Sequence, residues 1–433
     1  MMTREQYKIV GITALGGALE FYDFTIYALF ATYISPHFFA ISDPFVALMD
    51  TFLVFALGYF ARPLGGIVFG HFGDRWGRKT AFSLSILLMA GATLGIGLLP
   101  SYESVGIIAP IGLLLLRLLQ GFSVGGEIPG AAIFTIEHVP VGRRGLAIGL
   151  VFMSITLGNS LGASVGLLLT GILSQEQMMS WGWRLPFVIG FVLGIVSYLI
   201  RKKLFETPVF LNMIEQGKLQ HKPLLKLLTT SRKQLLRGFL LTAVSSGIIS
   251  LFLYLPTYLS NILYVHLSHA FLINFITFLG FAICTAFFGW GSDYIGRRNL
   301  LATGAIFLII ASYPFFCGLT RVGEHFVWIF SLAFAIFGGM INGSFAVLIT
   351  ECFPAAIRYS GVGLCYSLGM AVFGGTAPLA FTWLIHNFNM PEAPSLYLIG
   401  CGICTLAAVL MGNRDGNALQ QFDAAEEAAL TSG

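Results

Sequence analysis

Twelve apolar runs of about twenty residues or more recur along the whole chain, separated by polar or Gly/Pro-rich breaks. A helix of that length crosses the ~30 Å hydrocarbon core of a bilayer. Inside lipid, every backbone amide must find its partner within the protein, which leaves helices or closed barrels. The runs fall near 8–36, 46–70, 80–99, 105–137, 144–173, 184–204, 236–264, 267–291, 299–319, 324–352, 357–387 and 394–412. Charged residues make up only 10% of the 433 positions, against about 25% in soluble domains, which sets a soluble fold aside. Forty Phe and 51 Gly suit lipid-facing surface and close helix contacts. The expected class is an all-α membrane protein of 12 transmembrane helices. The first run is too long for a cleavable signal and carries Glu20 and Asp23.

Positive charge sets the orientation. With the N-terminus cytoplasmic, the cytoplasmic segments hold 20 of the 24 Lys and Arg, as the positive-inside rule requires of that topology. Both termini are then cytoplasmic. Arg184 and Arg321 sit at span ends, and only Arg62 and Arg117 lie within spans. The basic stretch 205–235 reads as a solvated cytoplasmic linker beside an anionic leaflet. It divides the chain into six-helix bundles at 1–204 and 236–412, with a short acidic tail at 413–433.

The halves repeat each other. GHFGDRWGRK (70–79) and GWGSDYIGRR (289–298) align Gly70 with Gly289, Asp74 with Asp293, Gly77 with Gly296 and Arg78 with Arg297. Glu137, Pro140 and Arg144 match Glu351, Pro354 and Arg358 at nearly the same offset. Parallel repeats of this kind are a transporter plan, and two pseudo-symmetric bundles follow. The glycines permit tight loops between paired helices. Asp74 can accept hydrogen bonds from a neighbouring helix N-terminus or from Arg78, and such bonds suit a conformational latch.

These motifs resemble the signature of the major facilitator superfamily. GGALEFYDFTIY (16–27), ARPLGGIVFGHFGDRWGRK (61–79), RLLQGFSVGGE (117–127), EHVPVGRRG (137–145), WGWRLPF (181–187) and ETPVF (206–210) are similar to its metabolite:proton symporter family. That family includes carriers of proline/betaine, α-ketoglutarate, shikimate and citrate. The resemblance implies that spans one, four, seven and ten line a central cavity and that transport proceeds by alternating access. The chain departs from the family after Glu127, where Ile128, Pro129 and Gly130 follow. Pro129 removes a helix hydrogen bond and can kink span four. The short tail lacks the coiled-coil extension of the osmosensing relative. Gly149, Gly158 and Gly162 fit the family's antiporter pattern, but Ala163 replaces its proline, which disfavours export by exchange.

An ionisable group at membrane depth is costly, so it marks function first. Thr13, Gly16, Glu20, Asp23 and Tyr27 share one helical face of span one, and Arg117, Gln120 and Glu127 one broad face of span four. Ten residues, roughly 15 Å of helix, separate Arg117 from Glu127, too far for an ion pair within one helix. Arg117 therefore needs an anion from another helix or from a ligand, and an acidic ligand or zwitterion fits. The expected substrate-binding residues are Arg117, Asp23, Tyr27, Gln120, Tyr254 and Asn342. Asp23, Glu127 and Glu20 are the candidates for proton coupling. Arg62, just before Pro63, serves either to tie helix backbones together or to hold a ligand.

No enzyme pattern emerges: the chain has no nucleophile elbow, no HExxH and no GxxxxGK[ST] loop. Catalytic and metal sites and cofactors are not expected. The six Cys fall almost entirely in apolar runs and read as small packing residues. The expected partners are a small-molecule substrate, protons and the lipid bilayer, with no nucleic acid and a functional monomer. The expected function is proton-coupled uptake of a small carboxylate-bearing metabolite across a bacterial inner membrane. A uniporter, an exporter or a membrane receptor is the alternative.

Overall fold

The computed structural model describes residues 2–39, 43–76, 78–125, 127–202, 231–322, 324–353 and 355–412. The linker at 203–230, the tail from 413 and Gly77 lie outside the described residues, as do the side chains of Glu20, Gly70, Asp74, Arg78, Glu127, Glu137 and Arg358. Among the described residues, twelve helical spans cross the molecule. Ten are long and apolar enough for a membrane, and Leu84–Leu98 and Ile108–Val124 are shorter apolar helices. The span boundaries fall within a few residues of the hydropathy runs.

Several spans are interrupted, three of them beside a proline. Span one breaks at Phe30, between Arg4–Leu29 and Ala31–Phe38. Span two breaks at Ala61, between Pro44–Phe60 and Arg62–Trp76. Pro63 follows and has no N–H to give to the Tyr59 carbonyl. Span four divides into Ile108–Val124 and Glu127–His138, where Pro129 withholds the same bond from Gly125. Span eleven runs Ala355–Gly369, a π-helical turn Met370–Gly375, and Ala377–Phe388. Pro378 leaves the Gly374 carbonyl free, and Ser250 Oγ of span seven donates to it at 2.8 Å.

The remaining spans are unbroken. Span three is Arg78–Leu98, five Arg144–Ile172, six Leu185–Lys202, seven Arg232–Asn261 and eight Leu267–Ile295. Nine is Arg297–Val322, ten Glu324–Glu351 and twelve Pro394–Met411. Span one packs on five and six, and span three on four and six. Seven packs on twelve, eight on ten, and nine on ten and twelve.

The two halves meet along span five against eight and span two against eleven. Six spans further on, five becomes eleven and two becomes eight, so the two seams exchange under the repeat. Close approach in the first seam needs glycine. A Cβ on Gly289 would stand 2.7 Å from Gly149 Cα and 2.8 Å from the Gly145 carbonyl, closer than packed atoms allow.

Both ends of the seams are joined among the described residues. At the basic end Asp293 accepts from the backbone N–H of Gly145 (2.8 Å) and Leu146 (3.0 Å), across the boundary between halves. At the opposite end the Phe45 and His386 rings stack 3.7 Å apart.

Candidate substrate and proton site

The charged residues of the N-terminal half converge between spans one, two, three, four and six. Asp23 and Arg117 are 0% exposed, and Arg62 is 1% exposed. Buried charges at this depth lose hydration worth several kcal/mol each unless the protein or a ligand returns it. Glycines make the room. A Cβ on Gly58 of span two would stand 3.0 Å from the Arg117 carbonyl and 3.7 Å from Arg117 Nε. One on Gly121 of span four would strike the Gly58 carbonyl.

Among the described residues, Arg117 uses only one nitrogen for hydrogen bonding. Its Nη1 donates to Gln120 Oε1 at 2.8 Å and to the Phe24 carbonyl at 3.4 Å, while Nε and Nη2 make no hydrogen bond. The guanidinium carbon lies 4.3 Å from the Tyr27 ring centroid, 4.5 Å from Phe24 and 5.2 Å from Phe55. Aromatic faces attract a cation but supply no acceptor lone pair. Gln120 continues the chain, its Nε2 donating to Thr93 Oγ1 at 2.7 Å.

Asp23 lies near Thr93, where that chain ends. Its carboxylate packs against Gly190 and Gly194 of span six, and a Cβ on Gly190 would meet both it and Thr93 Cγ2. Asp23 thus points into the N-terminal bundle toward spans three and six. Phe24, the next residue, turns toward the two arginines. The helical face read for span one groups Asp23 with Tyr27, but Tyr27 faces span two and donates its hydroxyl to the Thr51 carbonyl at 3.1 Å.

An aromatic wall leads from this cluster to the C-terminal half. Phe24 and Tyr59 meet edge-on at 4.8 Å, and Phe55 stacks with Tyr27 at 6.3 Å. One turn along span two, Phe52 lies 5.5 Å from Tyr254 of span seven. Tyr254 accepts from Thr382 Oγ1 at 3.2 Å and packs on Phe381 and Tyr258. It therefore stands on the boundary between halves. Asn342 makes its hydrogen bonds elsewhere. It accepts from Ser245 Oγ (3.1 Å) and donates to Thr285 Oγ1 (3.4 Å), tying spans seven, eight and ten together inside the C-terminal half.

The motif residues of the C-terminal half gather at the basic end. Arg297 bonds Asp293 at 3.3 Å, pairs with Glu351 and donates to the Val141 carbonyl at 3.1 Å. Arg143 donates to the Tyr294 hydroxyl at 3.1 Å. Gly296, between Asp293 and Arg297, has φ +97°, a conformation that glycine adopts freely. Arg144 is buried at the start of span five.

Sequence reasoning did not single out Phe24, Phe55, Tyr59 and Thr93. The aromatics look like ordinary lipid-span residues until the arginines are seen against them. One signal was available: Phe24 follows Asp23 directly, so it points about 100° away on the same turn.

Two interlocked six-helix halves enclosing a buried charged cluster form the architecture of a secondary transporter. The Major Facilitator Superfamily model matches residues 13–364. The Proline/betaine transporter of Salmonella typhimurium is 34% identical over 402 residues, covering 90% of this chain and 80% of the relative. The Glycine betaine/proline/ectoine/pipecolic acid transporter OusA of Dickeya dadantii is 31% identical over 420 residues, covering 95% and 84%. The Inner membrane metabolite transport protein YhjE of Escherichia coli is 34% identical over 411 residues, covering 93% of each. Among solved structures, the D-xylose-proton symporter superposes with a TM-score of 0.74 at 20% identity, over 94% of this chain and 97% of that one. The inward open xylose transporter XylE of E. coli gives 0.72 at 17% identity, over 94% and 95%. The chain belongs to the major facilitator superfamily and is a multi-pass integral membrane transporter.

Proposed function

We propose that this chain carries a small carboxylate-bearing metabolite inward, driven by a proton gradient, by alternating access. One observation carries the reading: a fully buried Arg117 with two unbonded nitrogens, joined through Gln120 and Thr93 to the surroundings of Asp23. A substrate carboxylate supplies the bidentate partner that Arg117 lacks. The aromatic wall of Phe55, Phe52 and Tyr254 receives the rest of the molecule, and a zwitterion's cationic group suits those faces. Relatives named for proline and glycine betaine support this choice of class.

Asp23 carries the coupled proton, with Glu127 and Glu20 as further acidic groups on the same two spans. When Asp23 is ionised, its field draws Arg117 inward through the Gln120 link. Protonation removes that pull, and the substrate carboxylate takes its place. The loaded, neutralised site then closes toward one side and opens to the other. Deprotonation inside restores the attraction and expels the substrate. Thr93, which donates to the Met89 carbonyl at 3.0 Å while accepting from Gln120, keeps that amide fixed. Uptake into proteoliposomes under an imposed inward proton gradient, compared with uniform pH, tests this reading.

The basic end, cytoplasmic on the charge-bias reading, works as the gate. Asp293 caps the N-terminus of span five from across the seam, where its charge also meets the helix dipole. Asp74 is its counterpart on the repeat, as Arg78 is of Arg297, and Arg297, paired with Glu351, supports it. Asp293→Asn leaves one acceptor oxygen and no charge for two amide donors. Charge-assisted bonds of this kind contribute about 2 kcal/mol each, so loss of one shifts the closed–open balance roughly 30-fold. A cysteine placed at Leu146 in a cysteine-free background should label faster by about that factor in the Asn variant. Equal labelling and equal transport in the two proteins would remove the latch.

A further inference from the structure

Arg62 stands where span two breaks, directly after Ala61 and before Pro63. Its side chain is buried, and none of Nε, Nη1 and Nη2 makes a hydrogen bond. Its guanidinium carbon lies 4.0 Å from the Tyr59 ring centroid and 4.2 Å from Phe24. Arg117 approaches that same Phe24 ring at 4.5 Å. Arginines that only hold helices together spend their donors on carbonyls. Arg184 of this chain does so, donating to Gly97 and Leu99 at 2.9 and 2.6 Å. Arg62 has no such bond, and two ring faces do not replace the hydration that a guanidinium gives up.

Arg62 also lies beside the seam between halves. A Cβ on Gly375, in the π-helical turn of span eleven, would stand 2.6 Å from Tyr59 Cβ. The ring under Arg62 is therefore part of the seam between halves. That seam is where a carried molecule must sit to be exposed first to one side and then to the other. Asp23, by contrast, faces the interior of one bundle. Two cations thus flank Phe24, one linked inward toward Asp23 and one beside the seam, with five unbonded nitrogens between them.

We propose that Arg62 is a second substrate-contacting cation, which together with Arg117 holds the anionic group of an organic carboxylate. This rests on the carboxylate reading above and extends it, since Arg117 alone would suffice for that reading. A single carboxylate offers about four lone-pair sites, enough to engage donors from both guanidinium groups.

The test uses full-length protein in lipid nanodiscs, titrated with L-proline, glycine betaine and succinate by thermal shift. The probe that stabilises the wild type most is then titrated against Arg62→Gln, Arg62→Lys and Arg117→Gln. Arg62→Gln should weaken its binding at least 30-fold, while the melting temperature without ligand does not fall, because the two ring contacts it loses are offset by removal of a buried charge. Arg62→Lys keeps the charge but not the fork, should bind about tenfold more weakly, and decides the matter if the Gln variant does not fold. Wild-type affinity in the Arg62 variants, with affinity lost in Arg117→Gln, overturns the Arg62 assignment and spares the Arg117 reading. If no probe stabilises the wild type, the carboxylate reading fails and this proposal with it.

Discussion

Asp23→Asn is expected to abolish accumulation of substrate against a gradient while exchange across the membrane stays within about tenfold of wild type. Asn has the shape of a protonated Asp and cannot release a proton, so it holds the site in the loaded-competent state. The free energy of one coupled proton is about 1.4 kcal/mol per pH unit, or a tenfold concentration ratio. Wild-type vesicles with a two-unit inward gradient should therefore concentrate substrate by up to about a hundredfold, and Asp23→Asn vesicles should only equilibrate. Exchange by the variant should lose the pH dependence that wild-type exchange shows. If Asp23→Asn accumulates substrate as the wild type does, the proton travels elsewhere, and Glu127 and Glu20 become the residues to replace.

Arg117→Met should lower affinity for a carboxylate substrate at least a hundredfold, since truncating a buried charged contact to a ligand costs about 3 kcal/mol or more. The same change should not lower the melting temperature of the unliganded protein. Arg117 is fully buried with two nitrogens unbonded, and an apolar side chain of similar length relieves that burden. Counterflow kinetics and thermal unfolding of one preparation measure both. A large fall in melting temperature with unchanged affinity would make Arg117 a helix tie.

The spans, their number and the repeat were legible because hydropathy and charge bias act residue by residue and need no neighbour. The breaks in spans two and four were legible too, since Pro63 and Pro129 each withhold a fixed hydrogen bond. The π-helical turn before Pro378 follows the same rule, but a free carbonyl alone does not say that Ser250 will cap it. Facing directions were harder to read. Helical periodicity sorts residues when one side of a helix meets water or lipid. Residues 21–31 of span one are all buried, so Asp23, Phe24 and Tyr27 share a helix turn or so and face different partners. Asn342 illustrates the other limit. A lone amide at membrane depth reads as a ligand contact, yet Ser245 and Thr285, hydroxyls from two other spans, satisfy it. Arg62 was visible as a charge within a span, but the absence of hydrogen bonds at its three nitrogens was not.

Proton coupling shows itself as proton entry driven by substrate alone. Wild-type protein is placed in lightly buffered proteoliposomes at uniform pH, and the carboxylate that drives counterflow is added outside. The external medium should turn alkaline as substrate enters, with a proton-to-substrate ratio that Asp23→Asn reduces to zero. Substrate entry at the wild-type rate with no change in external pH would contradict it.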